Sequence, residues 1–207
     1  MGRQFDRKRR DKQKRRPKPL ILLVAEGTNV TESQYFRSFQ NQNAEYMIKV
    51  LKPGHRTDPY KMLQIITSYW NDNELSEENG DAGFVVLDLD CDEEKAGLIR
   101  ALAQTSGCIQ FAVSNPCFEV WFLMHFKYST HSFLSSQDVV RELKTEIPDY
   151  SKNKDVSVML ADKLGEAMKN AEKLHNHYDS MDCVWPSNQC NPRTDVTKII
   201  EAMGVMR

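Results

Sequence analysis

Residues 20–27 read LILLVAEG: six apolar residues, Leu20 to Ala25, stop abruptly at Glu26-Gly27. The pattern returns at 84–90, FVVLDLD, where Phe84-Val85-Val86-Leu87 runs into Asp88-Leu89-Asp90 with Asp92 just behind. Unbroken apolar runs this short read as strands buried on both faces, the condition of a parallel sheet covered by helices. Ligands of such sheets bind beyond the carboxyl ends of the strands, which is where these acids stand. Alternation along an extended chain puts Asp88 and Asp90 on one side. If the two strands are neighbours, Glu26, Asp88 and Asp90 share one sheet edge. Acids gathered there repel one another unless a cation lies among them, and hard oxygen donors select Mg²⁺ or Mn²⁺. Such a cation polarises a phosphoryl oxygen and activates water, and a carboxylate not engaged with it serves as general acid or base. The pattern points to metal-dependent chemistry on phosphate esters. The competing reading is that acids at strand ends are exposed loop residues, as in any α/β protein.

The flanking sequence alternates strand and helix signals. Thr31 as N-cap and Glu32 in the first turn predict a helix over 31–41. Residues 46–51 read as a second strand, and Asp58-Pro59 opens a helix to about 71. The polar stretch 72–83 reads as a loop, 84–88 as the third strand and 93–104 as a helix. A fourth strand over 108–113 ends at Ser114-Asn115-Pro116 and leads into an apolar helix over 118–126. This β-α repetition predicts an α/β fold: a three-layer α/β/α domain with a mostly parallel sheet. Beyond residue 135 the chain reads as helices over 136–146 and 156–176 and a last helix capped by Thr194. These pack on the core, and no further strand is predicted. The expected organisation is an arm over 1–19, an α/β core over 20–134 and a helical extension over 135–207.

The block SNPCFEVWFLMHF (114–126) carries a second set of candidates. Glu119 is an isolated acid in a helix otherwise apolar, expensive to bury unless paired with an ion or a metal. It lies in the first turn after the fourth strand, at the same sheet edge as the other acids, where it would complete a metal shell. Ser114, Asn115, His125, Glu32 and Asp92 are auxiliary candidates. His125 reads more simply as a core or helix-terminal residue. No Walker A loop, dinucleotide fingerprint or nucleophile elbow is present, so glycine-rich phosphate cradling and serine nucleophiles are set aside.

Residues 1–19 hold ten basic groups against Asp6 and Asp11, so the whole-chain net charge of −1 leaves −9 on the remainder. A basic arm on an acidic body suits a polyanionic partner. Arg7, Arg9, Arg10, Lys12, Lys14, Arg15 and Arg16 are the candidate nucleic-acid contacts. Phe5 is the arm's only aromatic, so the contacts would be to phosphates rather than stacked bases. A solvated leader is the alternative. The five cysteines are an odd count without a CxxC pair, which suits reduced thiols and a cytoplasmic location. His175, His177, Cys183 and Cys190 fit no common zinc spacing. No apolar run approaches a membrane span of roughly 20 residues.

With AEGTNVTESQYF (25–36), VVLDLDCD (85–92), SNPCFEVWFLMHF (114–126) and NPRTDVTKIIEAM (191–203) in view, the chain resembles the RloB family. That family is associated with restriction–modification and abortive-infection loci and is similar to Toprim domains. The resemblance implies a Toprim-like (Rossmann-like) core, with Glu26, Asp88 and Asp90 binding Mg²⁺ for phosphodiester chemistry. The typical family opening places its second acid one residue nearer the first than Glu32 stands from Glu26. No ATPase domain accompanies the core, so the expected protein is a nuclease acting alone, as an oligomer, or with a partner such as an ATPase. Its substrate would be DNA or RNA in anti-phage defence. Two other readings stay open: a non-catalytic subunit that binds nucleic acid or a partner, and a metal-dependent phosphoesterase on nucleotides.

Overall fold

A computed structural model describes residues 18–26, 30–54 and 58–205. Its frame is a five-stranded sheet in the order β2-β1-β3-β4-β5. The strands are β1 (Leu20–Ala25), β2 (Met47–Leu51), β3 (Ala82–Asp88), β4 (Ile109–Asn115) and β5 (Arg193–Thr194). The first four run parallel, and β5 pairs antiparallel with β4, Ser114 opposite Thr194 and Asn115 opposite Arg193.

The apolar runs do what their sequence requires of them. Along β1, Ile21, Leu23 and Ala25 enter one core, whereas Leu20, Leu22 and Val24 enter a second core on the opposite face. In β3 the split is Phe84 and Val86 against Val85 and Leu87. Helices α2 (Pro59–Asp72) and α3 (Glu93–Ala103) cover the second core through Met62, Ile66, Trp70, Ala96 and Ile99. The first core is covered by α1 (Val30–Ser38), α4 (Glu119–Met124), α5 (Ser136–Glu146), α6 (Ser157–Leu160), α7 (Leu164–Asp179) and α8 (Val196–Met203). The result is a three-layer α/β/α, Rossmann-like arrangement.

Strand order places the site. The chain leaves β1 towards β2 on one side and returns across to β3 and β4 on the other, so the order reverses between β1 and β3. The crevice outside the carboxyl ends of two such strands is the usual ligand position in open α/β sheets. Val24 pairs with Val85 and Ala25 with Val86, which brings Glu26 and Asp88 out of adjacent strands.

Four local readings are corrected. The 72–83 loop ends early, because Ala82 and Gly83 already belong to β3. Glycine usually weakens a strand, but a Cβ at Gly83 would stand 2.6 Å from Ile109 Cδ1 and 3.3 Å from the Trp70 ring. The helix expected over 156–176 is broken by a 3₁₀ turn over Ala161–Lys163. Val158 and Leu160, two residues apart in the short helix before that turn, lie on different sides of that helix, so Val158 faces solvent while Leu160, and Leu164 beyond the turn, are buried. A strand does follow the fourth: β5, with only two residues, has no periodicity to read. Thr194, expected to cap the last helix, lies in β5, and Asp195 takes the N-cap position. Among the described residues no helix is long and apolar enough to cross a membrane.

Candidate functional site

Glu26 is the first residue past β1, and its N–H still donates to Val86 O at 3.2 Å, so its backbone continues the sheet ladder. Asp88 closes β3, paired in register with Ser114 of β4. Its Oδ1 accepts 2.8 Å from the Phe118 N–H, at the turn that leads into α4. This bond fixes the carboxylate and satisfies one of the amides that a helix start leaves without an internal partner.

Asp90 reaches the same edge by a different route from the alternation expected of a strand. β3 stops at Asp88, and the chain turns through left-handed backbone at Asp90 (φ 57°) and Cys91 (φ 58°). Non-glycine residues rarely take this conformation, and two in succession must be held there. Leu89 N–H donates to Ser114 O at 2.8 Å and Asp90 N–H to Pro116 O at 2.9 Å. Asn191 donates to Cys91 Sγ at 3.3 Å and to Phe133 O at 2.7 Å, while its Oδ1 accepts from Phe133 N–H at 3.1 Å. The turn is thereby tied to the NPRTD segment, about a hundred residues away.

Glu26 and Asp90 meet on a lysine. Lys95 Nζ lies 3.2 and 3.0 Å from the two Glu26 oxygens and 3.4 Å from Asp90 Oδ2. Ser136 Oγ donates to Asp90 Oδ1 at 3.4 Å. Asp92, an auxiliary candidate, is the N-cap of α3 and accepts from Glu94 and Lys95 N–H at 2.8 and 3.0 Å.

Glu119 is 2% exposed. Its Oε1 accepts from the Tyr150 phenol at 2.9 Å and lies 3.8 Å from Lys152 Nζ. Burial and the Glu119 charge push the Tyr150 phenol well above its usual range. Burial would lower Lys152, but Glu119, Cys117, Asp88 and Glu32 outweigh it and raise its pKa. Thr31 Oγ1 donates to Lys152 O and ties this loop to the start of α1. Glu32 is buried in the first turn of α1.

Asp88 gathers these charges into one electrostatic unit. Burial, then the charges of Glu32, Glu119, Asp90 and Glu26, raise its pKa well above the usual carboxylate range. Four acids within electrostatic reach of a fifth give an all-oxygen donor set with an excess of negative charge, the chemistry that suits a hard divalent cation. The acids are gathered but not closed: among the described residues no three His, Cys, Asp or Glu side chains are grouped closely enough to hold a metal ion as they stand.

The other sequence candidates lie elsewhere. Ser114 Oγ pairs with Thr194 Oγ1 at 2.8 Å, and the Asn115 amide donates to Cys190 O and Ser187 O at 3.0 and 3.3 Å, so both hold β5 and the loop before it. His125 is buried among Tyr35, Trp121 and Phe122. Its Nδ1–H donates to Trp121 O at 3.0 Å, and its Nε2 faces the Tyr35 hydroxyl at 3.5 Å. Burial lowers its pKa to about 4. Arg7, Arg9, Arg10, Lys12, Lys14, Arg15 and Arg16 lie outside the described residues.

Sequence reasoning missed Lys95, Tyr150 and Lys152. Lys95 did leave a signal: it stands in the first turn of α3, where the helix dipole disfavours a cation. Tyr150 and Lys152 left none, because their roles depend on a loop folding back over α4.

A family model described as RloB-like protein matches residues 21–203. No curated protein and no solved structure matches the chain.

Proposed function

The chain belongs to the RloB-like protein family, and on that premise we propose that it is a metal-dependent nuclease. It hydrolyses phosphodiester bonds of DNA or RNA in anti-phage defence of the abortive-infection type, with a Toprim-like core. The observation that carries this reading is the convergence of Glu26, Asp88, Asp90 and Glu119 at the switch point of the sheet, with Asp88 raised first by burial and then by its acidic neighbours. A module that merely bound a polyanion would gain nothing from negative charge concentrated on its crevice.

Glu26, Asp88 and Asp90 are the residues that would hold Mg²⁺ or Mn²⁺, with Glu119 as the auxiliary acid. The cation's contribution is to polarise the phosphoryl oxygen and supply hydroxide near neutral pH. The chain's own part is positional and acid–base. The Phe118 amide fixes Asp88, and the left-handed turn presents Asp90. Glu26 sits on rigid backbone, able to take a proton from water or return one to the leaving oxygen. Glu119, held by Tyr150, adds its charge to those acting on Asp88. The basic arm would contribute phosphate contacts along the nucleic acid.

The test is one incubation series of purified protein with supercoiled plasmid, single-stranded DNA, tRNA and mononucleotides, in Mg²⁺, Mn²⁺ or chelator. Strand cleavage that needs metal and disappears in Asp88→Asn/Asp90→Asn is expected. Turnover of mononucleotides alone would make the protein a small-substrate phosphoesterase. Binding without any cleavage would make it a subunit that holds nucleic acid.

A further inference from the structure

Lys95 is placed where an external cation would otherwise be required. Its side chain is 15% exposed, and its ammonium bridges both oxygens of Glu26 to Asp90, two acids that follow different strands. The backbone beneath it is fixed, because Lys95 N–H donates to the capping Asp92 at 3.0 Å. A cation in the first turn of a helix works against the helix dipole, so this lysine is kept in place by the acids across the crevice rather than by its own helix.

A divalent cation on these carboxylates needs oxygens at about 2.0–2.2 Å, against the 3.0–3.4 Å taken up by the ammonium. The two cations repel each other, and a divalent cation that takes the oxygens now held by the ammonium, both of Glu26 and Oδ2 of Asp90, displaces it. We propose that Lys95 is a resident counter-ion of the acidic edge, which neutralises Glu26 and Asp90 in the metal-free protein and must withdraw before a divalent cation binds them. This rests on the metal reading proposed above. It adds that metal affinity and metal-free stability are traded against each other through one side chain. The lysine stabilises the metal-free fold by the same contacts through which it weakens metal binding.

Mn²⁺ titrations of the full chain, followed by calorimetry and by the electron paramagnetic resonance of free Mn²⁺, test this without an activity assay. Lys95→Met removes the ammonium at nearly constant length, and Lys95→Gln is the second variant should Met disturb folding. Either should bind Mn²⁺ more tightly than wild type, by roughly 5- to 150-fold if the linkage is of ordinary size. Either should also melt at a lower temperature in chelator. Lys95→Arg, which keeps the charge, should bind Mn²⁺ no more tightly than wild type. Equal or weaker Mn²⁺ binding in Lys95→Met and Lys95→Gln overturns the counter-ion role while leaving the metal site standing, provided Asp88→Asn/Asp90→Asn abolishes binding. Wild-type binding that is absent, or unchanged in Asp88→Asn/Asp90→Asn, overturns the metal reading and this inference with it.

Discussion

The phenol of Tyr150 donates a 2.9 Å hydrogen bond to the carboxylate of Glu119, and both side chains are almost wholly buried. An acid in the first turn of so apolar a helix is tolerable because a donor from a distant loop meets it, with the Lys152 ammonium 3.8 Å away. Tyr150→Phe should therefore destabilise the protein by about 1–3 kcal/mol, the usual penalty for leaving a buried acceptor without its donor. Lys152→Met should cost less, since that side chain is about half exposed and its charge is screened. Urea unfolding at pH 7 gives both values. Equal stability of Tyr150→Phe and wild type would remove the phenol from the support of Glu119.

His125 gives the fold a defined response to acid. Burial lowers its pKa to about 4 from an ordinary 6.5, and the Lys163 charge acts in the same direction. Hydrogen bonds to the Trp121 and Phe122 backbone oppose the shift. The unfolded chain thus takes up a proton as pH falls below 6.5, and the folded chain does so only near 4. The stability contributed by neutral His125 is complete above pH 6.5, declines between 6.5 and 4, and is lost below that. The loss is on the order of 3 kcal/mol at about 1.4 kcal/mol per pH unit. Denaturant melts in steps across this window should show the decline, and His125→Gln should flatten it. An unaltered slope in the variant would place the titrating group elsewhere.

Glu26→Gln separates chemistry from folding. As proton carrier, Glu26 should contribute roughly 10²- to 10⁴-fold to the rate of cleavage, the ordinary share of general acid–base catalysis. The variant should stay folded, with stability within about 1 kcal/mol of wild type, because Lys95 loses one partly exposed ion pair but keeps Asp90. Nuclease rates at saturating metal, alongside thermal melts, read both quantities. A folded variant that cuts at the wild-type rate would remove Glu26 from the mechanism.

Deleting residues 1–17 should weaken nucleic-acid binding and flatten its dependence on salt, because a chain without the arm neutralises fewer phosphates and displaces fewer counterions from them. Cleavage at saturating substrate should persist. Fluorescence anisotropy from low to moderate salt measures the slope. Unchanged affinity and slope would leave the arm as a solvated leader.

Much of the frame was legible because it is local. The runs 20–25 and 84–87 are apolar at every position, so they become strands buried on both faces, and the acids that end them fall on one sheet edge. Glu26 and Asp88 follow from that geometry once β1 and β3 are neighbours. What the sequence hid depends on contacts between distant residues. β5 exists because Ser114 and Asn115 have backbone groups for Arg193 and Thr194 to meet, not because two residues have strand character. Gly83 is a strand residue through its ladders with Leu22 and Ile109, and Trp70 and Ile109 pack so close to it that a Cβ would crowd them. Asp90 joins Glu26 through a left-handed turn stitched to Ser114, Pro116 and Asn191, a conformation the D-x-D spacing does not encode.

The register between β1 and β3 has a mechanical consequence. Both are interior strands, bonded along both flanks, so Glu26, which continues the Ala25–Val86 register to the level of Leu87, and Asp88, one residue further along β3, stand at a fixed offset from each other. That pair is one rigid jaw of a caliper. The other jaw, Asp90, rides on the left-handed turn beyond β3, and adjustment of the opening falls to that turn. On the metal reading proposed above, the fit of an ion would be set by how far that softer jaw travels, with the sheet serving as the fixed scale.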